Sequence, residues 1–296
     1  TNSNARALSI ERSSELTLLN NVIENGYYGL YWFGSSISNR DSLNRIEGNT
    51  IKNTSYYGAY LYYMRSSQFL NNNFIDNFTG LTTGSYGVYF NYCREINFSN
   101  NRIGGEQGQT AIYLNSFDGN AAQPNVFENN IIGGNFNTGS NPTVVYLNPR
   151  QDATGTFDTV ADYARFVHNT IYALSGSSTT FNDNVGAFYI YRPNNATYLT
   201  QTSLNGLELI NNNIVVQTRP GITMGNTYRA INFSDTNYSM VYSASNNNFY
   251  CGTGSNQIAR IGTTNFTTLA SWQNVNAQDM GSVTINPQLV SFNLPV

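Results

Sequence analysis

The sequence predicts an all-β solenoid of about eight to ten coils that ends in a C-terminal cap. Two short sequence patterns recur along almost the whole chain. One has the length of a corner and the other has the length of a short strand, and each is expected once per coil. Charged residues make up only 10% of the 296 residues, against roughly 25% in an average domain. A chain that repeats in this way buries its apolar face by stacking each coil on its neighbours.

The first pattern is an apolar residue, two variable residues, Asn, one variable residue and Ile or a close substitute, as in Leu18–Asn21–Ile23. This spacing does not fit one uninterrupted strand, in which side chains on one face recur every second residue. It fits two short strands joined by a bend, because Asn tolerates left-handed backbone angles and bonds locally to the main chain. Stacked Asn side chains are also expected to bond to one another as a ladder. We place the corners at Asn21, Asn49, Asn73, Asn101, Asn130, Asn169, Asn213 and Asn248, with an extra Asn often standing just before.

The second pattern is a strand with a two-residue period that lies between successive corners. In Gly29-Leu-Tyr-Trp32, for example, Leu30 and Trp32 are predicted to face the core and Tyr31 to face outward. Each coil therefore carries at least two strands, and the sheets form between coils. The copies are Gly29–Trp32, Gly58–Leu61, Gly87–Phe90, Ala111–Leu114, Val144–Leu147, Ala187–Ile190 and Ala230–Phe233.

The uninterrupted repeat indicates a single elongated domain. Residues 1–250 are assigned to the coils, with surface insertions near 149–165, 173–185 and 192–206, because insertions in a solenoid map to surface loops. Residues 251–296 depart from the pattern and are assigned to a capping segment, since a terminal repeat must cover the open end of the core.

The Asn-corner coils resemble the right-handed parallel β-helix superfamily, which includes pectate lyase-like enzymes, copper–nitrous-oxide accessory-type repeat proteins and many surface proteins. The tail, with Asn247–Tyr250, Phe266–Gln273 and Asn286–Ser291, is similar to the closing segment of large secreted β-helix proteins of Bacteroidetes-type bacteria. This resemblance implies a bacterial protein that is secreted or displayed on the cell surface. Because the first residue is Thr1 and not Met, we also expect further domains of a longer parent chain.

The strongest candidate site is an outward row of tyrosines at the coil spacing. Stacked tyrosines would make an amphipathic ribbon on which sugar rings or another protein could lie. The alternative is structural, because Tyr has a high strand propensity and aromatic pairs stabilise sheets. The candidate ligand-binding residues are Tyr31, Tyr60, Tyr89, Tyr113, Tyr146 and Tyr189, flanked by Phe33, Tyr62 and Tyr191, with Asn91, Asn115 and Asn148 in the same outer row.

A polysaccharide-cleaving site is the second candidate. Glycoside hydrolysis needs two carboxylates at a defined separation, and a lyase needs a base and a cationic group. The 149–165 loop is the one loop cluster with these residue types, although solvated loop charges are the favoured explanation of it. Its candidate catalytic residues are Asp152, Asp158, Asp162, Arg150 and Arg165.

Other polar residues suggest no defined cofactor. His168, the single histidine, stands before Asn169 and is interpreted as a corner residue. The turn from Asp118 to Asn120 could hold calcium but lacks the ligand count of a defined site. We expect no metal, with calcium as an alternative. Cys93 and Cys251 lie too many coils apart for a disulfide.

The predicted function is a non-catalytic extracellular segment of a larger protein that acts in adhesion or glycan contact through the Tyr row. The alternatives are a polysaccharide lyase or glycoside hydrolase using the 149–165 loop, and a purely structural spacer. The expected partners are a polysaccharide or cell-surface glycan and the rest of the parent chain. A net charge of −3 disfavours nucleic acid, and no apolar run is long enough for membrane insertion.

Overall fold

A computed structural model describes residues 4–76, 85–105, 110–136, 143–148, 162–175, 186–191, 206–218, 228–234, 241–252, 257–276 and 278–288. Across these ranges, short strands stack coil upon coil into three long sheets, named here sheets A, B and C. Each coil passes through the sheets in that order, and the strands of neighbouring coils pair in parallel. The predicted parallel β-solenoid is confirmed.

Sheet A carries the second sequence pattern. Its parallel strands are Arg6–Glu11, Tyr28–Phe33, Tyr57–Tyr62, Tyr86–Asn91, Thr110–Asn115, Thr143–Asn148, Gly186–Ile190, Arg229–Phe233 and Gln257–Ile261. A last strand, Thr264–Phe266, pairs antiparallel with Gln257–Ile261.

Sheets B and C lie on the two sides of the Asn corner. Sheet B comprises Thr17–Leu19, Arg45–Glu47, Gln68–Leu70, Asn97–Ser99, Asn125–Glu128, Tyr163–Val167, Gly206–Ile210 and Val241–Ser245. Sheet C comprises Val22–Glu24, Thr50–Lys52, Asn73–Asp76, Arg102–Gly105, Ile131–Phe136, Thr170–Ser175, Asn213–Thr218 and Asn248–Cys251. Asp41–Ser42 and Met64–Arg65 form a small separate pair.

The core is a narrow apolar column enclosed by the three sheets. The predicted inward residues of sheet A line it; Leu30, Trp32, Ala59 and Leu61, for instance, are completely buried. Sheet B adds a column of phenylalanines that includes Phe98, Phe127 and Phe166. Because every coil repeats the same inward positions, the core continues from coil to coil without a break.

The corner ladder exists, but three of its predicted members are wrong by one residue. From Asn49 onward, the side-chain oxygen of each ladder Asn accepts from the backbone N–H and the side-chain amide of the ladder Asn in the preceding coil, at 2.8–3.3 Å. The members are Asn21, Asn49, Asn72, Asn101, Asn130, Asn169, Asn212 and Asn247. Asn73, Asn213 and Asn248 instead begin the strands of sheet C.

The misassignment arises where three Asn residues stand in a row. In the triplet Asn71–Asn73, Asn71 takes the left-handed conformation (φ 57°) and Asn72 turns inward, completely buried. The left-handed position in other coils is held by Asn20, Asn100, Asn129 and by Gly48, and Gly is the residue that adopts it without a steric penalty. The bend and the ladder are therefore formed by two successive residues.

The C-terminal end is closed by a strand reversal and one helix. Gln257–Ile261 adds a ninth parallel strand to sheet A, so the coil pattern extends beyond residue 250 into the segment predicted to be the cap. The helix Leu269–Asn276 follows, with the Thr268 hydroxyl accepting from the Ser271 N–H at 3.1 Å as an N-cap. Within the described ranges no helix has the length and apolarity needed to cross a membrane.

The predicted insertions also need correction at their edges. Tyr163–Val167, Thr170–Ser175 and Gly206–Ile210 are coil strands, although part of each falls in a segment predicted to be an insertion. Each pairs in register with the coil before it. Coil structure therefore takes up more of residues 149–206 than the sequence pattern indicated.

Candidate functional site

The predicted tyrosine row is a continuous column on the outer side of sheet A. The strand register aligns Tyr31, Tyr60, Tyr89, Tyr113, Tyr146 and Tyr189 over six successive coils. Neighbouring ring centroids are 4.5–5.5 Å apart, and the first five rings are stacked with interplanar angles of 7–14°. We call these six residues the central column. Tyr189 is only 4% exposed, so the accessible part of the column ends at Tyr146.

Further aromatic residues extend this surface on both sides. Tyr28, Tyr57 and Tyr86 form a flanking column with stacked rings 5.0–5.2 Å apart, and their rings meet the central column edge to face. On the other side, Tyr62 stacks on Phe33 at 4.7 Å. Tyr191 is half-buried after the strand Gly186–Ile190. The sequence prediction missed the flanking column, although each of its members directly precedes the glycine that begins a copy of the second pattern.

We call the central column, the flanking column, Phe33 and Tyr62 together the tyrosine face. Its geometry differs from the predicted ribbon because the ring faces are in contact with one another. Each ring in the middle of a column has a ring above and a ring below it. At the first coil, the Arg6 guanidinium lies 3.6 Å from the centroid of the Tyr31 ring and covers its remaining face. The surface therefore offers ring edges and hydroxyl groups, and a sugar ring cannot lie flat along it.

Burial raises the pKa of several hydroxyls of the tyrosine face. Burial raises the pKa of Tyr60 to about 12, although the Asn91 side chain acts in the opposite direction. Burial, reinforced by neighbouring tyrosines, also raises the pKa of Tyr57, Tyr86 and Tyr146 well above the ordinary value. A protonated phenol both donates and accepts a hydrogen bond, so the face is an uncharged, regularly spaced array of such groups.

Asn91, Asn115 and Asn148, which were predicted to lie in the outer row, are buried at 7%, 6% and 3% exposure. They form a second ladder, in which Asn115 Nδ2 donates to Asn91 Oδ1 at 2.6 Å and Asn148 Nδ2 donates to Asn115 Oδ1 at 2.8 Å. They are not contact residues. They lie behind the tyrosine hydroxyls, because Asn148 Nδ2 also donates to the Tyr113 hydroxyl at 3.0 Å.

The structure does not assemble the predicted catalytic cluster from the residues it describes. Asp152, Asp158 and Arg150 lie outside the described ranges. Asp162 is 5% exposed and sits in a β-bridge with Asp118. Arg165 forms an ion pair with Glu208, which also accepts from the Tyr163 hydroxyl at 2.6 Å. Arg165 is thus engaged in a surface network of sheet B.

The remaining polar candidates have structural roles. His168 is a left-handed corner residue (φ 56°), as predicted, and its Nε2 lies 2.9 Å from Asn211 Nδ2. The Asp118 carboxylate, proposed as a calcium ligand, forms a buried ion pair with Arg40. This pairing occupies the carboxylate with a cation of the protein itself. Cys93 and Cys251 are both unbridged thiols.

Two buried aspartates were not anticipated from the sequence. Each accepts the indole N–H of one of the two tryptophans: Trp32 donates to Asp41 at 3.1 Å, and Trp272 donates to Asp279 at 2.8 Å. Asp279 also accepts from Asn247 Nδ2 at 3.2 Å. Asp279 thereby ends the corner ladder inside the cap. The sequence could have indicated these bonds, because an Asp follows Trp32 by nine residues and Trp272 by seven.

Comparison with known proteins places the chain in a family. The model of the family described as "Periplasmic copper-binding protein (NosD)" matches residues 1–149. A search of curated proteins and a search of solved structures found no match. The family description agrees with the predicted location outside the cytoplasm and with the observed fold. Since the match spans just over half of the 296 residues, the chain belongs to the NosD family of right-handed parallel β-helix proteins.

Proposed function

We propose that this chain is a rigid, non-catalytic segment that binds a hydroxyl-rich neutral polymer, a glycan, along the tyrosine face. The contact is made by tyrosine hydroxyls and ring edges, because the ring faces are occupied by neighbouring rings. The observation that carries the proposal is the constant register of the central column from Tyr31 to Tyr146.

Three properties of the face support a polymeric, uncharged ligand. The phenols repeat at the coil spacing, so an extended chain can meet one after another. Burial raises the pKa of Tyr60 and Tyr146 above the ordinary value, and a protonated phenol can bond to hydroxyl and ether oxygens. The stacked rings are also already ordered, so binding costs little side-chain entropy.

The described residues do not provide a site for the copper named in the family description. Copper sites in proteins use Cys, Met and His ligands. In the described ranges no three His, Cys, Asp or Glu side chains come together in a group that could hold a metal. Burial raises the pKa of both Cys93 and Cys251 to about 12, which disfavours the thiolate that binds copper. These residues do not fit a copper site, and no step of the proposed function involves the metal.

The proposal is tested by binding of the purified chain to dextran, xylan, galactomannan and mixed-linkage β-glucan, with pectin as an acidic comparison. The variant Tyr60→Phe/Tyr113→Phe removes two hydroxyls and keeps both rings. We expect it to weaken binding about tenfold. Tyr250→Phe is the matched control, because Tyr250 lies on sheet C, away from the tyrosine face.

The outcomes separate the proposal from its alternatives. Equal binding by the double variant and the wild type would place the ligand elsewhere. Absence of binding to every polymer would support a structural spacer. Mass spectrometry of the incubated polymers is run alongside, and new oligosaccharide ends would show that the chain is an enzyme.

A further inference from the structure

The tyrosine face becomes narrower along the solenoid axis. The strands Tyr28–Phe33 and Tyr57–Tyr62 each carry three outward aromatic side chains, whose rings contact one another. In the strands Thr110–Asn115 and Thr143–Asn148, five of the six residues are buried, and the tyrosine of the central column is the one that stays partly exposed. Among these strands, the central column is therefore the feature of the face that continues from coil to coil.

The strand register shows what takes the place of the missing rings. Next to Tyr113, the flanking position passes from Tyr86 to Thr110, which is buried. On the other side, Asn115 stands in register with Asn91, and both are buried. A polymer that lay across the strands would meet several aromatic residues in the first coils and a single one here. The exposed surface thus repeats in one direction, along the solenoid axis.

The phenols repeat evenly in that direction. From Tyr31 to Tyr146, neighbouring ring centroids are 4.5–5.5 Å apart and the rings are tilted by only 7–14°. Because the rings are nearly parallel, each phenol is displaced from the next by about the strand spacing of 4.8 Å. An extended, β-1,4-linked chain of pyranose sugars advances by nearly the same distance per sugar. An α-1,4-linked chain of the same sugars coils and cannot keep this register.

We infer that the ligand of the tyrosine face is an extended, β-linked polysaccharide that runs parallel to the solenoid axis, with one sugar opposite each coil. The inference rests on the proposed function and specifies the class of glycan and its direction. Tyr31, Tyr60, Tyr89, Tyr113 and Tyr146 are the partly exposed members of the central column. The face therefore holds five successive sugars of one chain, each against the ring edge and hydroxyl of one tyrosine.

The first experiment compares two series of gluco-oligosaccharides of increasing length, one β-1,4-linked and one α-1,4-linked, by isothermal titration calorimetry with the purified chain. At each length the two series have the same sugars and the same number of hydroxyls, and they differ in shape. We expect the affinity for the β-linked series to rise about twofold or more with each added sugar and to level off at about five sugars. The α-linked series is expected to bind at least about tenfold more weakly at that length.

The second experiment uses Tyr31→Phe and Tyr146→Phe, which change the two ends of the accessible column and keep the stacked rings. Each variant is expected to weaken binding of the five-sugar β-linked chain about threefold or more. Each should weaken binding of the three-sugar chain less than about twofold, because the shorter chain can use the remaining coils. Tyr250→Phe is again the matched control on sheet C.

The outcomes distinguish this inference from the proposed function. Equal affinities for the two series, binding of neither series, or an affinity that stops rising after two sugars would overturn the inference. Loss of binding in only one of the two end variants would overturn the orientation along the axis. In each of these cases, binding of a panel polymer that is weakened by Tyr60→Phe/Tyr113→Phe would still support the proposed function. A wild type that binds no polymer removes the proposed function, and the inference with it.

Discussion

Replacing Asn101, an inner member of the corner ladder, by Ala is expected to destabilise the fold strongly. The Asn101 side chain is completely buried; its Oδ1 accepts from the backbone N–H of Asn72 at 2.9 Å, and its Nδ2 donates to the Phe69 carbonyl at 2.8 Å. The substitution leaves both of these buried groups without that partner. Since each such group costs about 1–3 kcal/mol, we expect the free energy of unfolding to fall by about 2–6 kcal/mol.

The neighbouring residue provides the matched control. Asn100 is exposed and left-handed (φ 58°), and its backbone contributes the bend without entering the ladder. Asn100→Ala is expected to cost about 1–2 kcal/mol from the left-handed backbone alone. Asn100→Gly is expected to be near neutral, because Gly48 already occupies the equivalent left-handed position two corners before Asn100.

Urea unfolding followed by far-UV circular dichroism measures these differences through the transition midpoints. A solenoid can unfold in stages, so the slopes of the transitions are compared before free energies are assigned. Equal losses of stability for Asn101→Ala and Asn100→Ala would refute this expectation. Such a result would mean that the ladder bonds contribute nothing beyond the bend.

Three further outcomes are expected. Asp279→Ala removes the acceptor for the Trp272 indole and should speed hydrogen exchange in the last coil while leaving the first coil unchanged; uniform acceleration would contradict its role as a local cap. Asp118→Ala leaves the Arg40 guanidinium buried without this carboxylate and should cost about 3–5 kcal/mol in urea unfolding, whereas the double change Arg40→Met/Asp118→Leu should recover most of that loss. The pKa of Tyr60, raised to about 12 by burial, means that its contribution to stability is complete below its ordinary pKa of 10 and is lost as pH rises from 10 to 12. Phenolate absorbance should therefore rise together with unfolding, and ionisation of Tyr60 near pH 10 in a folded chain would refute this.

The tyrosine face illustrates how far sequence reasoning reaches. The two-residue period assigned Tyr31, Tyr60 and Tyr89 to the outer side and Leu30 and Trp32 to the core, and both assignments hold. Period is a local property, so it can be read from a single strand. That the rings cover one another's faces depends on side-chain rotamers in adjacent coils, which no local pattern specifies.

The corner triplets illustrate the opposite case. Asn71, Asn72 and Asn73 have identical side chains, so the sequence cannot distinguish the bend, the ladder and the strand start. Stacking decides among them, because one of the three amides can face the amides of the coils above and below while the backbone bends just before it.

The repeat thus determined the solenoid and its inward and outward positions, since both follow from spacings within one or two coils, and the departure from the repeat after residue 250 indicated the cap. The three-dimensional structure decided which polar groups meet: Arg40 with Asp118, Asn247 with Asp279, and the Asn148 amide with Tyr113. These partners are 78, 32 and 35 residues apart. Their pairing depends on how successive coils stack and on how buried hydrogen-bonding groups find partners, and both are settled only when the coils come together.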